Sequence, residues 1–304
     1  MPEIEIIIVT YNSAAEIGAC LEAALRTGAE IVVVDNASTD GTIAEVKKRN
    51  VRLIANSENR GFAAAVNQGA AVCSAPYLLL LNPDAVIRGS LEPLRAACDL
   101  PQSAGAGGKL IGPDGRPQAG FMVRALPTPA ALILESLLLN RIWPQNPVNR
   151  RYRCLGRDYS VQAEAEQPAG AFLMVRRAVW QELGGLDERF FPVWFEDVDF
   201  CRRVRDRGFR LFYVPEAVAT HTGGHSIPQL SVEMQRFYWY GSLLRYSAKH
   251  FRPASFRAVC LAVVTGSVFR SIAETVSRCS LRPLAAYARV VRLAGRSLLS
   301  GSLG

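Results

Sequence analysis

Leu78-Leu79-Leu80-Leu81-Asn82-Pro83-Asp84-Ala85 is the stretch whose reading decides the fold. The four leucines, entered through Pro76 and Tyr77, are too few to span a membrane and too uniformly apolar for a strand with one wet face. They read as a fully buried parallel strand. The run stops abruptly at Asn82, Pro83 and Asp84, so a carboxylate stands at its carboxyl end. In an open parallel sheet that end faces the ligand crevice. Asp84 is therefore either a turn residue after Pro83 or part of a site, and the tripeptide alone does not separate the two.

The preceding residues repeat the pattern. Glu3 to Thr10 is an isoleucine- and valine-rich strand ended by Tyr11, Asn12 and Ser13. Ser13 with Glu16 reads as a capping box that opens a helix carrying Ile17, Cys20, Leu21 and Leu25 on one face. Ile31 to Val34 is a second strand, stopping at Asp35-Asn36, and Val51 to Ala55 a third. Asn59-Arg60-Gly61-Phe62 then starts an alanine-rich helix that runs through Asn67 to Ala71 before the leucine strand. Strands alternating with helices predict an α/β fold with a mostly parallel, doubly wound central sheet flanked by helices.

Polar clusters thus end three strands: Thr10-Tyr11-Asn12, Asp35-Asn36 and Asn82-Pro83-Asp84. Buried strands have no structural need for such ends on one edge, and their convergence outlines a nucleotide-diphosphate crevice. No glycine-rich phosphate loop follows the first strand, so a divalent cation on Asp84 is the expected means of neutralising phosphate charge.

The second half is less regular. Ala104 to Ile111 reads as a strand turned by Gly112-Pro113-Asp114-Gly115, and Ala130 to Leu139 as an apolar helix. Trp143 to Pro147, with Arg150, Arg151 and Arg153 behind it, reads as a proline-punctuated loop that sets acceptor choice. Gly170 to Val175 is a strand, Arg177 to Leu183 a helix ended by Gly184-Gly185, and Phe209 to Val214 a further strand. Glu196, Asp197 and Asp199 put three acids in four positions beside Trp194, Phe195 and Phe200. They are either an acidic first helical turn paired with Arg202, Arg203 and Arg205, or a general base in an aromatic-walled pocket. His221 and His225 flank Gly223-Gly224, where close backbone approach is possible, and His221 is a candidate metal or phosphate ligand.

Of 304 residues, 49% are hydrophobic and 20% charged, an ordinary globular balance. The net charge of +8 is unevenly placed: from Arg245 onward ten Lys or Arg face Glu274 alone, while the preceding 244 residues hold 25 basic and 26 acidic side chains. A neutral body without a recognition motif argues against nucleic-acid binding. Seven scattered cysteines, none in a CxxC pair, suit reduced thiols in a cytoplasmic compartment. Met1 leads directly into an apolar strand, so no secretion signal is expected, and no apolar run is expected to reach the length of a spanning helix. Gln235 to Phe251 reads as an aromatic packing helix. Residues 252–304 read as basic amphipathic helices suited to an anionic membrane surface or to an oligomer interface.

With these clusters in place, the sequence resembles glycosyltransferase family 2, of the GT-A fold, and within it the bacterial rhamnosyltransferases of cell-envelope polysaccharide assembly. The likeness runs from about Ile6 to Tyr246 through IVTYNS at 8 to 13, VVVDNASTDGT at 32 to 42, NRGFAAAVNQG at 59 to 69, LLLNPDA at 79 to 85, GAFLMVRR at 170 to 177, GGLDERFF at 184 to 191, EDVDFCRR at 196 to 203 and HTGGHS at 221 to 226. The resemblance implies a catalytic domain over residues 1–230 and a helical extension over 231–304. It implies that Thr10, Tyr11, Asn12, Asp35 and Asn36 hold the nucleoside, with Arg60, Gly61, Asn67, Asn82 and Asp84 around the donor. Asp84 and His221 would hold Mg2+ or Mn2+. Asn82 stands where the family's Asp-x-Asp has its first acid, which leaves Asp84 as the only carboxylate there. Asp197, within Glu196-Asp197, matches the catalytic base, with Asp199 the second choice. The implied reaction is inverting transfer of a sugar, L-rhamnose from dTDP-rhamnose before UDP-galactofuranose, UDP-GlcNAc or GDP-mannose, to a saccharide or polyprenyl-diphosphate-linked acceptor. A sugar-nucleotide pyrophosphorylase is the remote rival, and IVTYNS is not its glycine-rich phosphate loop.

Overall fold

A computed structural model describes residues 2–223, 231–278 and 281–303. In chain order it contains β1 (Ile4–Thr10), α1 (Ile17–Leu25), β2 (Glu30–Asp35), α2 (Thr42–Lys47), β3 (Arg52–Ala55), α3 (Phe62–Ala71), β4 (Tyr77–Leu81), β5 (Ala85–Arg88), α4 (Glu92–Cys98), β6 (Ser103–Ile111) and β7 (Val123–Arg124). There follow α5 (Pro129–Ser136), α6 (Leu139–Ile142), α7 (Pro147–Tyr152), β8 (Ala163–Glu164), β9 (Gln167–Pro168), β10 (Phe172–Arg176), α8 (Arg177–Leu183), α9 (Glu196–Asp206), β11 (Arg210–His221), α10 (Val232–His250), α11 (Pro253–Arg278) and α12 (Arg282–Ser300). The chain forms two compact units. The first holds Met1–Leu126, Gly156–Pro192 and Glu196–Ser226, and the second Pro127–Leu155, Val193–Phe195 and Ile227–Gly304. The helices after residue 231 thus share their unit with residues 127–155.

The first unit is built on a sheet in the order β3-β2-β1-β4-β10-β6-β11-β5, with β8 on β11. Strands β3, β2, β1 and β4 are parallel, as the apolar runs predict, and Leu78 to Leu81 are buried on both faces. Beyond β4 the sheet departs from the doubly wound expectation. Strand β10 runs antiparallel to β4 and to β6, opposing Leu81 with Phe172. The start of β10 therefore sits beside the end of β4, and the Asn82 amide donates to the Ala171 carbonyl at 3.0 Å. This reversal brings the loop before β10 to the polar edge of the sheet.

Helix α1 lacks the expected capping box. Its N-cap is Glu16, whose side chain makes no capping bond, and the Ser13 N–H that the box would use donates to Thr42 Oγ1 at 2.7 Å. Ile17, Cys20 and Leu21 are buried as expected, whereas Leu25 at the last turn is exposed. The helix expected over Ala130 to Leu139 breaks at Leu138, which adopts a left-handed conformation with φ 65°. Asn146, inside the expected loop, caps α7 by accepting from the Asn149 N–H at 2.8 Å, so Arg150 and Arg151 lie on a helix.

In the second unit α11 lies close against α5; a Cβ on Gly266 would fall 1.9 Å from the Ser136 carbonyl oxygen, so glycine is required at the crossing. Glu274, the sole acid of the basic tail, joins three helices: it pairs with Arg236 of α10 at 2.7 Å and accepts from the Tyr287 hydroxyl of α12 at 3.0 Å. The stretch Pro253–Ser277 is long and apolar enough to cross a membrane by length and composition, contrary to the expectation that no such run exists. The charges Arg257, Arg270 and Glu274 conceal it in the sequence. One face, including Phe256, Val259, Cys260 and Val263, is buried, and the other exposes Leu261, Val268, Phe269, Ile272 and Val276.

Candidate functional site

The site residues lie in the first unit, at the carboxyl edge of its strands. At the end of β1, the Thr10 hydroxyl donates to Asp35 Oδ1 at 2.8 Å. Ser38 reinforces the same carboxylate with its hydroxyl at 2.6 Å and its N–H at 2.9 Å. Asn12 closes the loop above them, its N–H donating to Ser38 Oγ and its side-chain oxygen accepting from the Thr39 N–H. The Asn36 amide donates to the Gly61 carbonyl at 3.1 Å and accepts from Asn56 at 3.0 Å. Asp35 is fully buried, so it holds two polar loops at fixed spacing, while Tyr11 and Arg60 remain accessible. Gly61 has φ +83°, and a Cβ there would meet the Phe191 ring at 2.8 Å. Both facts require glycine.

The second cluster joins residues more than a hundred positions apart. His221, the last residue of β11, places Nε2 at 3.6 Å from Asp84 Oδ1 and 3.5 Å from the Asn82 side-chain amide. Both Asp84 and His221 are under one-tenth exposed. The Gly223 N–H donates to Asp84 Oδ2 at 2.7 Å, which turns Oδ1 towards the imidazole. Gln118 grips His221 from the other side, and the Phe121 ring stacks on the imidazole at 5.2 Å. Imidazole nitrogen and carboxylate oxygen each bind small divalent ions at about 2.0–2.2 Å. Donors separated as these are suit one shared ion. Among the described residues no group of three or more His, Cys, Asp or Glu forms a metal cage. The pair therefore fits a cation whose remaining positions are filled by substrate oxygens and water, the usual habit of Mg2+ with phosphates. His225 lies outside the described residues. Cys20, whose thiol faces the Asn82 carbonyl, is no nucleophile: burial first, and then the charge of Asp84, raise its pKa.

The third cluster is the first turn of α9. Asp197 accepts from the Val198 N–H at 2.8 Å through one oxygen, and from the Gly170 N–H at 3.2 Å and Gln167 Nε2 at 3.3 Å through the other. Burial raises its pKa against these donors and against the nearby charge of Arg124. Glu196 is buried with Oε2 unpaired, and burial together with the charge of Asp197 pushes its pKa well above the usual carboxylate range. Two carboxyls in one turn are thus poised to titrate nearer neutrality than ordinary acids.

Two expected site residues also have structural partners. Asp199 is fully buried and bonded to Arg203 Nε at 2.8 Å, and the same guanidinium holds the Leu183 and Gly185 carbonyls. Asn67 bridges to the Leu186 N–H, the Leu186 carbonyl and Glu188, so it fastens α3 to the loop after α8. The expected aromatic wall also changes, since Phe195 packs on Trp239 and Tyr246 within the second unit. Sequence reading passed over Gln118, Phe121, Arg124, Gln167 and Ser38. Only Ser38 carried a local signal, its place in VVVDNASTDGT at 32 to 42.

Comparison with known proteins agrees with this architecture. Residues 5–157 match the model of Glycosyl transferase family 2, and residues 134–242 that of Glycosyltransferase like family 2. The chain is 32% identical over 247 residues to N-acetylglucosaminyl-diphospho-decaprenol L-rhamnosyltransferase of Mycobacterium tuberculosis, covering 73% of this chain and 76% of the relative. Rhamnosyltransferase WbbL of Escherichia coli K12 is 35% identical over 82 residues, 27% of this chain and 30% of its own. The mannosyltransferase PcManGT of Pyrobaculum calidifontis, solved with GDP-Man and Mn2+, superposes with a TM-score of 0.54 at 18% identity, covering 98% of this chain and 87% of the other. The chain belongs to glycosyltransferase family 2, with the GT-A fold, and is a glycosyltransferase.

Proposed function

We propose that this enzyme transfers L-rhamnose from dTDP-rhamnose, with inversion, to a hydroxyl of a saccharide carried on a polyprenyl diphosphate. The observation that carries the proposal is the pairing of a cation-ready edge, Asp84 with His221, with a carboxylate turn, buried Glu196 and half-buried Asp197, in one unit of a chain that is 32% identical to a rhamnosyltransferase acting on a lipid-linked acceptor. Thr10, Tyr11, Asn12, Asp35 and Asn36 bind the nucleoside, and Arg60, Gly61, Asn82 and Asp84 the diphosphate side of the donor. Asn67 supports the loop after α8 rather than touching the donor.

Asp84 and His221 would hold the divalent cation, Mg2+ or Mn2+, which would supply Lewis-acid neutralisation of charge on the leaving diphosphate. The chain's own base is Asp197. Its carboxylate is aimed by the Gly170 and Val198 N–H groups, and its raised pKa makes it a stronger proton acceptor than a solvated aspartate. It removes the acceptor hydroxyl proton as that oxygen attacks the anomeric carbon from the face opposite the diphosphate. Glu196 beside it has its charged form disfavoured by burial and by the charge of Asp197.

The second unit supplies contact with the cytoplasmic face of a membrane through residues 252–304. The exposed apolar stripe of α11 and the exposed Arg282, Arg289, Arg292 and Arg296 of α12 support this reading, as do the free thiols of the six described cysteines, which suit a reducing compartment. A homo-oligomer joined through the same helices is the rival, and light scattering of the detergent-free protein separates the two.

The test of function is a donor panel of dTDP-rhamnose, UDP-galactofuranose, UDP-GlcNAc and GDP-mannose with N-acetylglucosaminyl-diphospho-polyprenol. Metal-dependent release of dTDP with a rhamnosylated lipid product is expected. Turnover of another donor and none of dTDP-rhamnose overturns the sugar assignment.

A further inference from the structure

The amide of Gln118 meets His221 twice. Its Nε2 donates to the His221 carbonyl at 2.8 Å, and its Oε1 lies 2.9 Å from His221 Nδ1. A carbonyl oxygen only accepts, so the NH2 end of the amide is committed to it, and the end facing the ring is the oxygen. An amide oxygen also only accepts, so Nδ1 carries the hydrogen. In the neutral imidazole the remaining lone pair is then on Nε2, the nitrogen directed at Asp84 Oδ1 and Asn82. Phe121, three residues beyond Gln118, stacks on the ring with an 11° interplanar angle and resists its rotation. Gln118 is itself held in place, because its N–H donates to the Leu110 carbonyl at 2.9 Å, next to the Ile111–Pro117 bridge.

We infer that Gln118 is a positioning residue that holds His221 in the Nδ1–H tautomer and so presents Nε2 as a ready cation ligand. The inference rests on the reading of Asp84 and His221 as the cation pair, and it adds the residue that prepares one of them. The need is greater here than in a site with two acids. With Asn82 in place of an acid, the edge offers one carboxylate, and a wrong imidazole tautomer would remove half of the charged or basic donor set.

The experiment uses the full chain and its Gln118→Leu and Gln118→Glu variants. Two quantities are read: the Mn2+ dissociation constant by titration calorimetry without nucleotide, and the imidazole 15N shifts of the metal-free protein, with His221→Asn assigning the resonance. Wild type is expected to show Nε2 unprotonated. Gln118→Leu, folded by circular dichroism, should shift the tautomer balance towards Nε2–H and weaken Mn2+ binding about 10- to 100-fold, the usual range for loss of such a partner. Gln118→Glu keeps the acceptor and should restore the wild-type tautomer and most of the affinity. A hydrogen on Nε2 in the wild type, or Mn2+ binding by Gln118→Leu within twofold of wild type, overturns the inference. If Gln118→Leu does not fold, the wild-type shifts and the Gln118→Glu variant still decide it. Absence of Mn2+ binding by the wild type would instead sink the cation reading, and the 15N shifts would still report the tautomer.

Discussion

The two units of the chain place their polarity and apolarity in opposite ways. In the first, large apolar side chains are buried around the sheet and charge is drawn into the interior at one edge, where Asp35, Asp84, Glu196 and His221 are almost inaccessible. In the second, the lone acid of the tail is spent joining three helices, and beyond the buried core a stripe of apolar groups faces outward. Twelve of the sixteen large hydrophobic side chains exposed among the described residues belong to it, from Leu139 to Leu299. Burying charge is costly unless the environment uses or pairs it, and exposing an apolar stripe is costly unless something covers it. The first unit thus concentrates buried charge, and the second an exposed apolar stripe, the two features on which the proposed chemistry and the proposed membrane contact rest.

The largest effect is expected from Asp197→Asn, which removes proton acceptance but keeps the shape. Transfer should fall by about 10²–10⁴-fold, while equilibrium binding of dTDP-rhamnose stays within a few-fold of wild type. Loss of donor binding in parallel would mean that Asp197 holds the donor instead. Next in size is Arg203→Ala, which leaves the buried Asp199 carboxylate without its guanidinium and should cost about 3–5 kcal/mol in chemical denaturation. A cost below about 1 kcal/mol, the surface ion-pair range, would show that the clamp is not what holds α9.

A smaller change sharpens the comparison from the other unit. Phe269→Glu with Ile272→Glu puts charges on the exposed face of α11, where both side chains are more than half exposed. Flotation with anionic liposomes should drop several-fold, with donor hydrolysis in solution unchanged. Equal flotation would locate membrane contact elsewhere. Deleting residues 252–304 is a poorer probe, because α11 and α12 pack on α5 and α10 and their removal would uncover that core.

The smallest expected effect is on stability. Glu196 has a raised pKa in the fold, so its favourable, protonated state is fully present below the unfolded-state value and its contribution is lost as pH rises through the folded value. Glu196→Gln should match wild type at pH 4 and melt about 2–4 °C higher at pH 8, the shift for roughly 1 kcal/mol in a chain of this size. A difference constant with pH would show that the carboxyl does not titrate over that range.

The legibility of the molecule follows the range of the interactions. Leu78 to Leu81 and the isoleucines of β1 announce buried strands because burial on both faces needs no partner information, and Gly184 ends α8 as its left-handed conformation requires. Ser13 misled because its N–H found Thr42, 29 residues on, in place of a local cap. Asp199 and Asn67 look like site residues in any linear reading. Only the positions of Arg203 and Leu186 reveal the structural bonds that they make. The Pro253–Ser277 helix escaped for the converse reason, since its charges sit among apolar residues whose two faces are separated only when α5 and α12 cover one of them.

By itself, the sequence determined the alternating α/β order, the polar ends of three strands and the one carboxylate of NPD, because each depends on residues within a few positions of one another. Tertiary structure decided the rest. The reversed β10 delivered Gly170 to Asp197, and the return of β11 set His221 beside Asp84. Gln118 reached His221 across 103 positions. Hydrogen bonds are satisfied at about 3 Å in space whatever their separation along the chain, so a partner that distant leaves no mark on the local pattern.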